Sequence, residues 1–333
     1  MPRYKALYIE RRALGFDHAN ALARRFADRP VIPIDSYHEV FSRTGQDFQA
    51  QKRYPALVAA FADTPRLYET PARACSLTGL PVYYNDQLRN CRYNCDYCFL
   101  QGAHASAHTL VFVNSADFHT AARARARDGD YWLSISYLTD MPAFEPVLPL
   151  TSEWISFAAA NPGVTVEIRT KGGLQPFHRT APIANVVLTW TLTPELIAQQ
   201  HEHGCAPLVD RLRAVLFASR RGWRTRIAID PVLLIPGWEP AYTAMLEMIF
   251  AELPAGTVEA ASYGVFRAGT DYVRSLRAAR ADVPLLHHPF SRCNGTMSYD
   301  DREIATIRRI VGGPLAGALG HERVFFVHEH PEG

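Results

Sequence analysis

An α/β barrel or partial barrel is the fold class this sequence predicts, and two observations predict it. From about Gly79 onward, short apolar runs at 111–113, 131–135, 164–168, 186–190, 225–229 and 258–260 alternate with amphipathic stretches. Most of these runs are apolar at successive positions, as parallel strands covered by helices are. The intervening segments 118–127, 152–161, 194–201, 208–221 and 241–251 read as helices, so each strand–helix–strand unit predicts a crossover between parallel strands. Residues 81–275 are therefore expected to form the barrel, with its first strand near Pro81 to Tyr84. Residues 1–80 begin with an amphipathic helix at 18–26 and a strand-like Val31-Ile32-Pro33-Ile34, then lose any clear period. They predict an accessory layer at the barrel mouth. Residues 276–333 are expected to be a C-terminal extension that reaches the substrate.

Composition narrows the class further. A chain of 333 residues with 48% apolar content can bury a large core. Charge interrupts the apolar groups near the N-terminus, as in Tyr8-Ile9-Glu10-Arg11-Arg12, which argues against a signal-peptide core. No apolar run of about 18 residues suggests a membrane span. Six cysteines, half of them in one short segment, do not read as a disulfide framework, and a cytoplasmic location is expected. A net charge of +2 says little about partners. Arg274, Arg277 and Arg280 recur every three residues; they are either a phosphate-tracking row or, more simply, part of a solvated helix.

The segment that carries chemistry is Cys91-Arg-Tyr-Asn-Cys95-Asp-Tyr-Cys98. Three thiolates at this spacing wrap a compact metal core from one loop, and they suit three corners of a [4Fe-4S] cube with one iron left open. Zinc is the alternative, with His104 or His108 as fourth ligand, although no second CxxC pair follows downstream.

This CxxxCxxC spacing resembles the signature of the radical S-adenosylmethionine enzymes. The words around it are more specific. Asn94 to Gly102, Leu110-Val111-Phe112-Val113-Asn114, Ser136-Tyr137-Leu138-Thr139-Asp140, Thr170-Lys171, Pro207-Leu208 with Arg211, and Ile229-Asp230-Pro231-Val232 resemble the spore photoproduct lyase family and its relatives outside spore formers. The resemblance implies an open six-stranded (β/α)6 barrel, TIM-like and of the radical SAM type. It implies a [4Fe-4S] cluster on Cys91, Cys95 and Cys98, and S-adenosylmethionine on the open iron. Thr139 and Asp140 are then expected to meet the methionine ammonium, Lys171 its carboxylate, and Thr189 and Thr191 its sugar or carboxylate end. A reducing partner such as flavodoxin or ferredoxin is implied as well, and the protein is expected to be a monomer.

One departure matters for function. The family's hydrogen-donating cysteine lines up with Tyr137, and its second tyrosine after the third cysteine lines up with Phe99; Tyr97 is kept. Candidate catalytic residues are accordingly Tyr137, Tyr97 and Cys293, the last as a thiol brought in from another segment. The C-terminal stretch 286–299 carries Asn294-Gly295, a hairpin signal, but Arg292 is nearly its sole charge. Phe290 and Tyr299 are its candidates for stacking on a base. Two readings follow: a radical lyase acting on a DNA pyrimidine lesion, with nucleic acid as partner, or a radical reaction on a small molecule or peptide.

Overall fold

The computed structural model describes residues 4–70 and 78–327, and two sheets organise them. The first is five-stranded, in the order Val31–Ile34, Leu7–Glu10, Leu57–Ala60, Thr109–Phe112, Leu88–Arg89. Its first four strands are parallel and only Leu88–Arg89 runs antiparallel. Leu57–Ala60 and Thr109–Phe112 are buried throughout, which is why they read as unbroken small and apolar runs.

The second sheet has eight strands in the order Val324–Val327, Ala260–Val265, Arg224–Val232, Val186–Thr191, Val164–Thr170, Tyr131–Ser134, Val82–Tyr84, Tyr68–Glu69. From Val82–Tyr84 to Ala260–Val265 it contains the six parallel strands expected of the partial barrel. Val324–Val327 extends one edge in parallel and Tyr68–Glu69 the other in antiparallel sense, and the curled sheet stays open. Helices Leu150–Ala160, Leu208–Arg220 and Trp238–Glu252 are the crossovers, within three residues of their expected bounds.

Three expectations change. The run at 111–113 belongs to the first sheet, not the barrel, and the connection from Val82–Tyr84 to Tyr131–Ser134 passes through Leu88–Arg89 and Thr109–Phe112. The first sheet therefore draws strands from both sides of residue 80. The last barrel strand is Ala260–Val265 and not the run at 258–260, so Glu259 precedes it at the end away from the mouth. Finally, the inner faces are polar. Val164–Thr170 alternates buried and half-buried residues, with Thr165, Glu167 and Arg169 on one side. Arg226 lies 4.6 Å over the Trp132 ring although two strands separate them, so both point into the hollow of the curled sheet. Ion pairs fill that hollow: Glu167 with Arg169 at 3.3 Å, Arg226 with Glu259 at 2.6 Å, and Asp230 with Arg267 at 2.8 Å.

A small third sheet joins Arg267–Gly269, Thr296–Ser298 and Ser291–Cys293. Asn294 and Gly295 both have positive φ, 47° and 80°, and make the two-residue turn that Asn-Gly favours. Tyr299 lies in the core beneath this hairpin and half-buried Phe290 packs against it: Phe290 stacks on Phe266 at 4.7 Å, and the Tyr299 hydroxyl donates to Val232 O and accepts from Leu234 N. They are packing residues, not a stacking pocket. The arginine row is not a face either. Arg274 is exposed and pairs with Asp271, Arg277 donates to Leu286 O, and Arg280 is buried against the cysteine loop. A spacing of three precesses around a helix, so the third side chain leaves the side of the first.

Candidate active site at the barrel mouth

The cysteine segment leaves the first barrel strand and is held from every side. Asn90 takes a left-handed φ of 67°, and its amide donates to Ser106 O at 2.6 Å and His108 O at 2.8 Å. Asn is among the few non-glycine residues that adopt that backbone readily, and here its amide ties the loop to the Ser106–His108 segment. Lys52, from the first-sheet region, donates to Cys91 O and, at 2.8 Å, to Tyr93 O. Gln101 donates to Cys95 O at 2.6 Å. Asn94–Cys95 pairs antiparallel with Glu202–His203. Asp96 is buried between His201 at 2.9 Å, His203 at 3.0 Å and Arg280 at 2.7 Å.

Cys95 is buried and Cys91 and Cys98 are half-buried, all as free thiols. Burial pushes the Cys91 thiol up to about 12, with Asp140 adding to it; burial also raises Cys98. The Cys95 Sγ lies 3.7 Å from that of Cys205, a contact that lowers the Cys95 pKa and raises that of Cys205. Among the described residues, no three metal-binding side chains converge on one point with the thiols so turned. The donor set nevertheless suits an iron–sulfur cluster: three soft ligands from one clamped loop, with half-buried Lys52 within electrostatic reach of all three. The zinc alternative fares less well. His108 Nδ1 accepts the Ala56 N–H at 3.1 Å, and His104 packs on Phe41 with ring centroids 5.3 Å apart. Burial lowers both imidazoles to about 4.

Lys171 follows the strand Val164–Thr170 and reaches the same mouth. Its ammonium bonds the Tyr97 hydroxyl, pairs with Glu202 at 3.0 Å and lies 3.9 Å from Cys95 Sγ. Glu202 is fully buried and also takes bonds from Arg211, from Thr193 at 2.8 Å and from Tyr97. Burial alone would raise its pKa, but Lys171 and Arg211 more than offset this and hold it at about 2. Burial likewise opposes the Lys171 charge, and Cys95 and Glu202 overcome it, so its pKa stands well above the usual lysine value.

Other expected site residues have structural partners. Asp140 caps the short helix Met141–Phe144 through Ala143 N and accepts from Thr170 Oγ1 at 2.9 Å and Lys171 N at 2.8 Å. Thr139 Oγ1 donates to Asn90 O at 3.1 Å. Thr189 donates to Glu167 at 2.9 Å, inside the hollow, and the Thr191 carbonyl accepts from Arg211. Tyr137 stands at the mouth, stacked on Tyr84 with centroids 4.2 Å apart and 6.0 Å from the Phe99 ring. Cys293 lies in the hairpin opposite Thr296, on a different element from the cysteine loop. Sequence reasoning missed Lys52, Glu202 and the Asp96 clamp. Nothing local marks them, since each acts on a residue at least 39 positions away.

No protein-family model matches the chain, and no curated protein matches it. Solved structures do. A tyrosine-to-phenylalanine variant of spore photoproduct lyase superposes with a TM-score of 0.82 at 17% identity, covering 98% of this chain and 99% of that one. Another variant, with bound AdoMet and dinucleoside spore photoproduct, gives 0.80 at 16% identity, with 98% and 99% covered. Streptococcus suis SuiB bound to S-adenosylmethionine gives 0.50 at 12% identity, covering 78% of this chain and 53% of that one. At such identities the likeness is one of architecture: over nearly its whole length, this chain has the radical SAM partial-barrel fold of spore photoproduct lyase.

Proposed function

We propose that this protein is a radical S-adenosylmethionine enzyme with lyase-type chemistry on a pyrimidine lesion in DNA. The observation that carries the reading is the clamped loop of three thiols beside Lys171 at the open mouth of a spore photoproduct lyase fold. When bound on Cys91, Cys95 and Cys98, a [4Fe-4S] cluster with S-adenosylmethionine supplies a 5'-deoxyadenosyl radical that abstracts hydrogen from substrate. The chain's own residues do the rest. Lys52 and Gln101 fix the loop carbonyls, so the thiols are presented from a rigid frame. Lys171 is the cation for the cosubstrate carboxylate, and the network around Glu202 keeps it charged and oriented. Asp140 acts by fixing the Thr170–Lys171 strand end. Thr139 holds the loop at Asn90, and Thr189 and Thr191 support the same strand ends.

Tyr137 is the hydrogen donor of this reading. Its O–H hydrogen passes to the product radical, and the phenoxyl left behind is restored to the phenol by one electron from the low-potential carrier and one proton from solvent before the next turnover. Tyr97 is held by Lys171 and Glu202 and serves to orient that pair. Cys293 is the alternative donor only if the hairpin reaches over the mouth. The electron comes from a low-potential carrier such as a flavodoxin or ferredoxin. The protein works in the cytoplasm as a monomer; no described helix is long and apolar enough to cross a membrane.

A radical reaction on a small molecule or peptide is the second reading, favoured by the tyrosine at the donor register and by the sparse charge of the hairpin. The test is anaerobic reconstitution followed by incubation with S-adenosylmethionine, reductant and photoproduct dinucleotide. About four irons per chain, 5'-deoxyadenosine and restored thymine are expected. Cosubstrate cleavage without thymine release selects the second reading, and no cleavage removes both. In heavy water, Tyr137→Phe is expected to lose deuterium transfer to product while still forming 5'-deoxyadenosine; unchanged labelling makes Tyr137 a packing residue.

A further inference from the structure

Cys205 is the one described cysteine to which the chemistry above gives no part, and the fold carries its thiol to the cysteine loop. Its Sγ lies 3.7 Å from that of Cys95, across 110 residues of sequence. Backbone structure makes the approach. Glu202–His203 pairs antiparallel with Asn94–Cys95 and sets Glu202 directly opposite Cys95. Gly204 then takes a left-handed φ of 87°, which glycine adopts without strain, and Cys205 N closes the turn on Glu202 O at 3.3 Å. The next amide, Ala206 N, donates to Lys171 O at 3.0 Å. Cys205 is thus pinned from both sides by backbone bonds, none of which involves a metal.

The three loop thiols are not equivalent in this arrangement. Cys91 Sγ accepts the Tyr93 N–H at 3.4 Å and Cys98 is bonded by the Leu100 backbone, so both are turned onto their own loop. Cys95 instead faces a thiol on another element. Sulfurs already in contact, on backbones fixed by strand pairing, are placed to join by side-chain rotation. Cys205 is half-buried whereas Cys95 is buried, so an outside reagent meets Cys205 first. A cluster and a Cys95–Cys205 bond exclude one another, because each needs the Cys95 sulfur.

We propose that Cys205 is a redox lock on the cluster loop: while no cluster is bound, it closes a disulfide on Cys95 that blocks loading until it is reduced. The oxidant is a small-molecule disulfide such as oxidised glutathione. The Cys205 sulfur attacks it, its S–S bond breaks, and one glutathione leaves as a thiol with the Cys205 proton. The Cys95 sulfur then attacks Cys205, and the second glutathione leaves with the Cys95 proton. Two protein thiols are oxidised and one small disulfide is reduced to two thiols. A dithiol reverses the exchange. The proposal rests on the reading of Cys95 as a cluster ligand. Since the bond joins points 110 residues apart, it also restrains the unfolded chain and raises the melting temperature of the cluster-free protein.

The experiment uses the cluster-free full chain, reduced and then equilibrated anaerobically with oxidised glutathione. Remaining thiols are blocked with N-ethylmaleimide, and linked peptides are mapped by mass spectrometry without reduction. A peptide pair joined through Cys95 and Cys205 is expected as the main product. The oxidised parent is expected to melt at a higher temperature and to take up no iron and sulfide until dithiothreitol is added. Cys205→Ser, checked for folding by far-ultraviolet circular dichroism, is expected to keep Cys95 as a thiol and to load iron equally before and after the treatment, with no rise in melting temperature. A main product joined within the loop, Cys91 to Cys95 or Cys95 to Cys98, overturns the lock. So does an equal loss of loading in the parent and in folded Cys205→Ser. Reduced parent that takes up no iron overturns the cluster reading instead, and the linked peptide is still scored by mass, so the two failures are distinguishable.

Discussion

Glu202 is the residue on which the mouth turns, because one buried carboxylate pairs with both Lys171 and Arg211. Removing one partner of a buried ion pair leaves the others charged and uncompensated, at a cost of about 3–5 kcal/mol. Glu202→Gln is therefore expected to lower unfolding stability by that order in urea melts, and Lys171 should then lose its fixed position. The same network gives a pH dependence. The folded carboxylate titrates at about 2, below its ordinary 4.5, so its contribution is complete above the ordinary value and fades as pH falls toward 2. Urea midpoints measured across that interval should drop in the parent, and the drop should shrink in Glu202→Gln.

Elements meet at two junctions where a small change has a defined effect. Asp140 caps Met141–Phe144 and ties Thr170 and Lys171 to it, joining the ends of two barrel strands. Asp140→Ala removes the cap and leaves Lys171 N without that acceptor, for a loss of about 1–2 kcal/mol. Weaker S-adenosylmethionine binding with unchanged iron content is the accompanying expectation. Gly102 lies where the short helix Leu100–Ala103 crosses Thr270–Ala279, and a Cβ there would meet Tyr272 O at 2.5 Å. Gly102→Ala must push the two helices apart, disturbing the bonds of Arg280 to Gln101 and Asp96. A lower melting temperature and faster loss of iron from the reconstituted protein are expected.

Across the whole molecule, the region before residue 80 is a structural partner of the cysteine loop. Its sheet takes Leu88–Arg89 and Thr109–Phe112 from beyond that boundary, and its Lys52 holds the carbonyls of Cys91 and Tyr93. A fragment of residues 81–333 is expected to be insoluble or unfolded, since two of its strands would lose their sheet and expose a buried row. Lys52→Met keeps the chain's length and apolar stem but removes the clamp. It is expected to retain less than about half of the four irons that such a cluster holds, with far-ultraviolet circular dichroism unchanged. Full iron retention in that variant makes the clamp dispensable.

The strand and helix order was legible in the sequence because a parallel strand covered on both sides must be apolar along its length, and the crossover helices must be amphipathic. The cysteine spacing likewise supplied the donor set of the proposed cluster without coordinates, since thiol number and loop length are local properties. Val164–Thr170 was found, but its inward Glu167 and Arg169 were not recognised as facing Arg226 and Asp230, because the half-polar alternation gives no sign of what lies across the hollow. Glu202 between two histidines looks like surface until its strand pairs with Asn94–Cys95 and buries it. Tyr299 beside a hairpin turn looks available until the sheet buries it and packs half-buried Phe290 against it. Sequence by itself determined the periodicities and the spacing of the three loop cysteines. Only the tertiary structure decided which charges meet in the hollow, which aromatics stay at the rim and what clamps the loop, because those contacts join residues far apart in the chain.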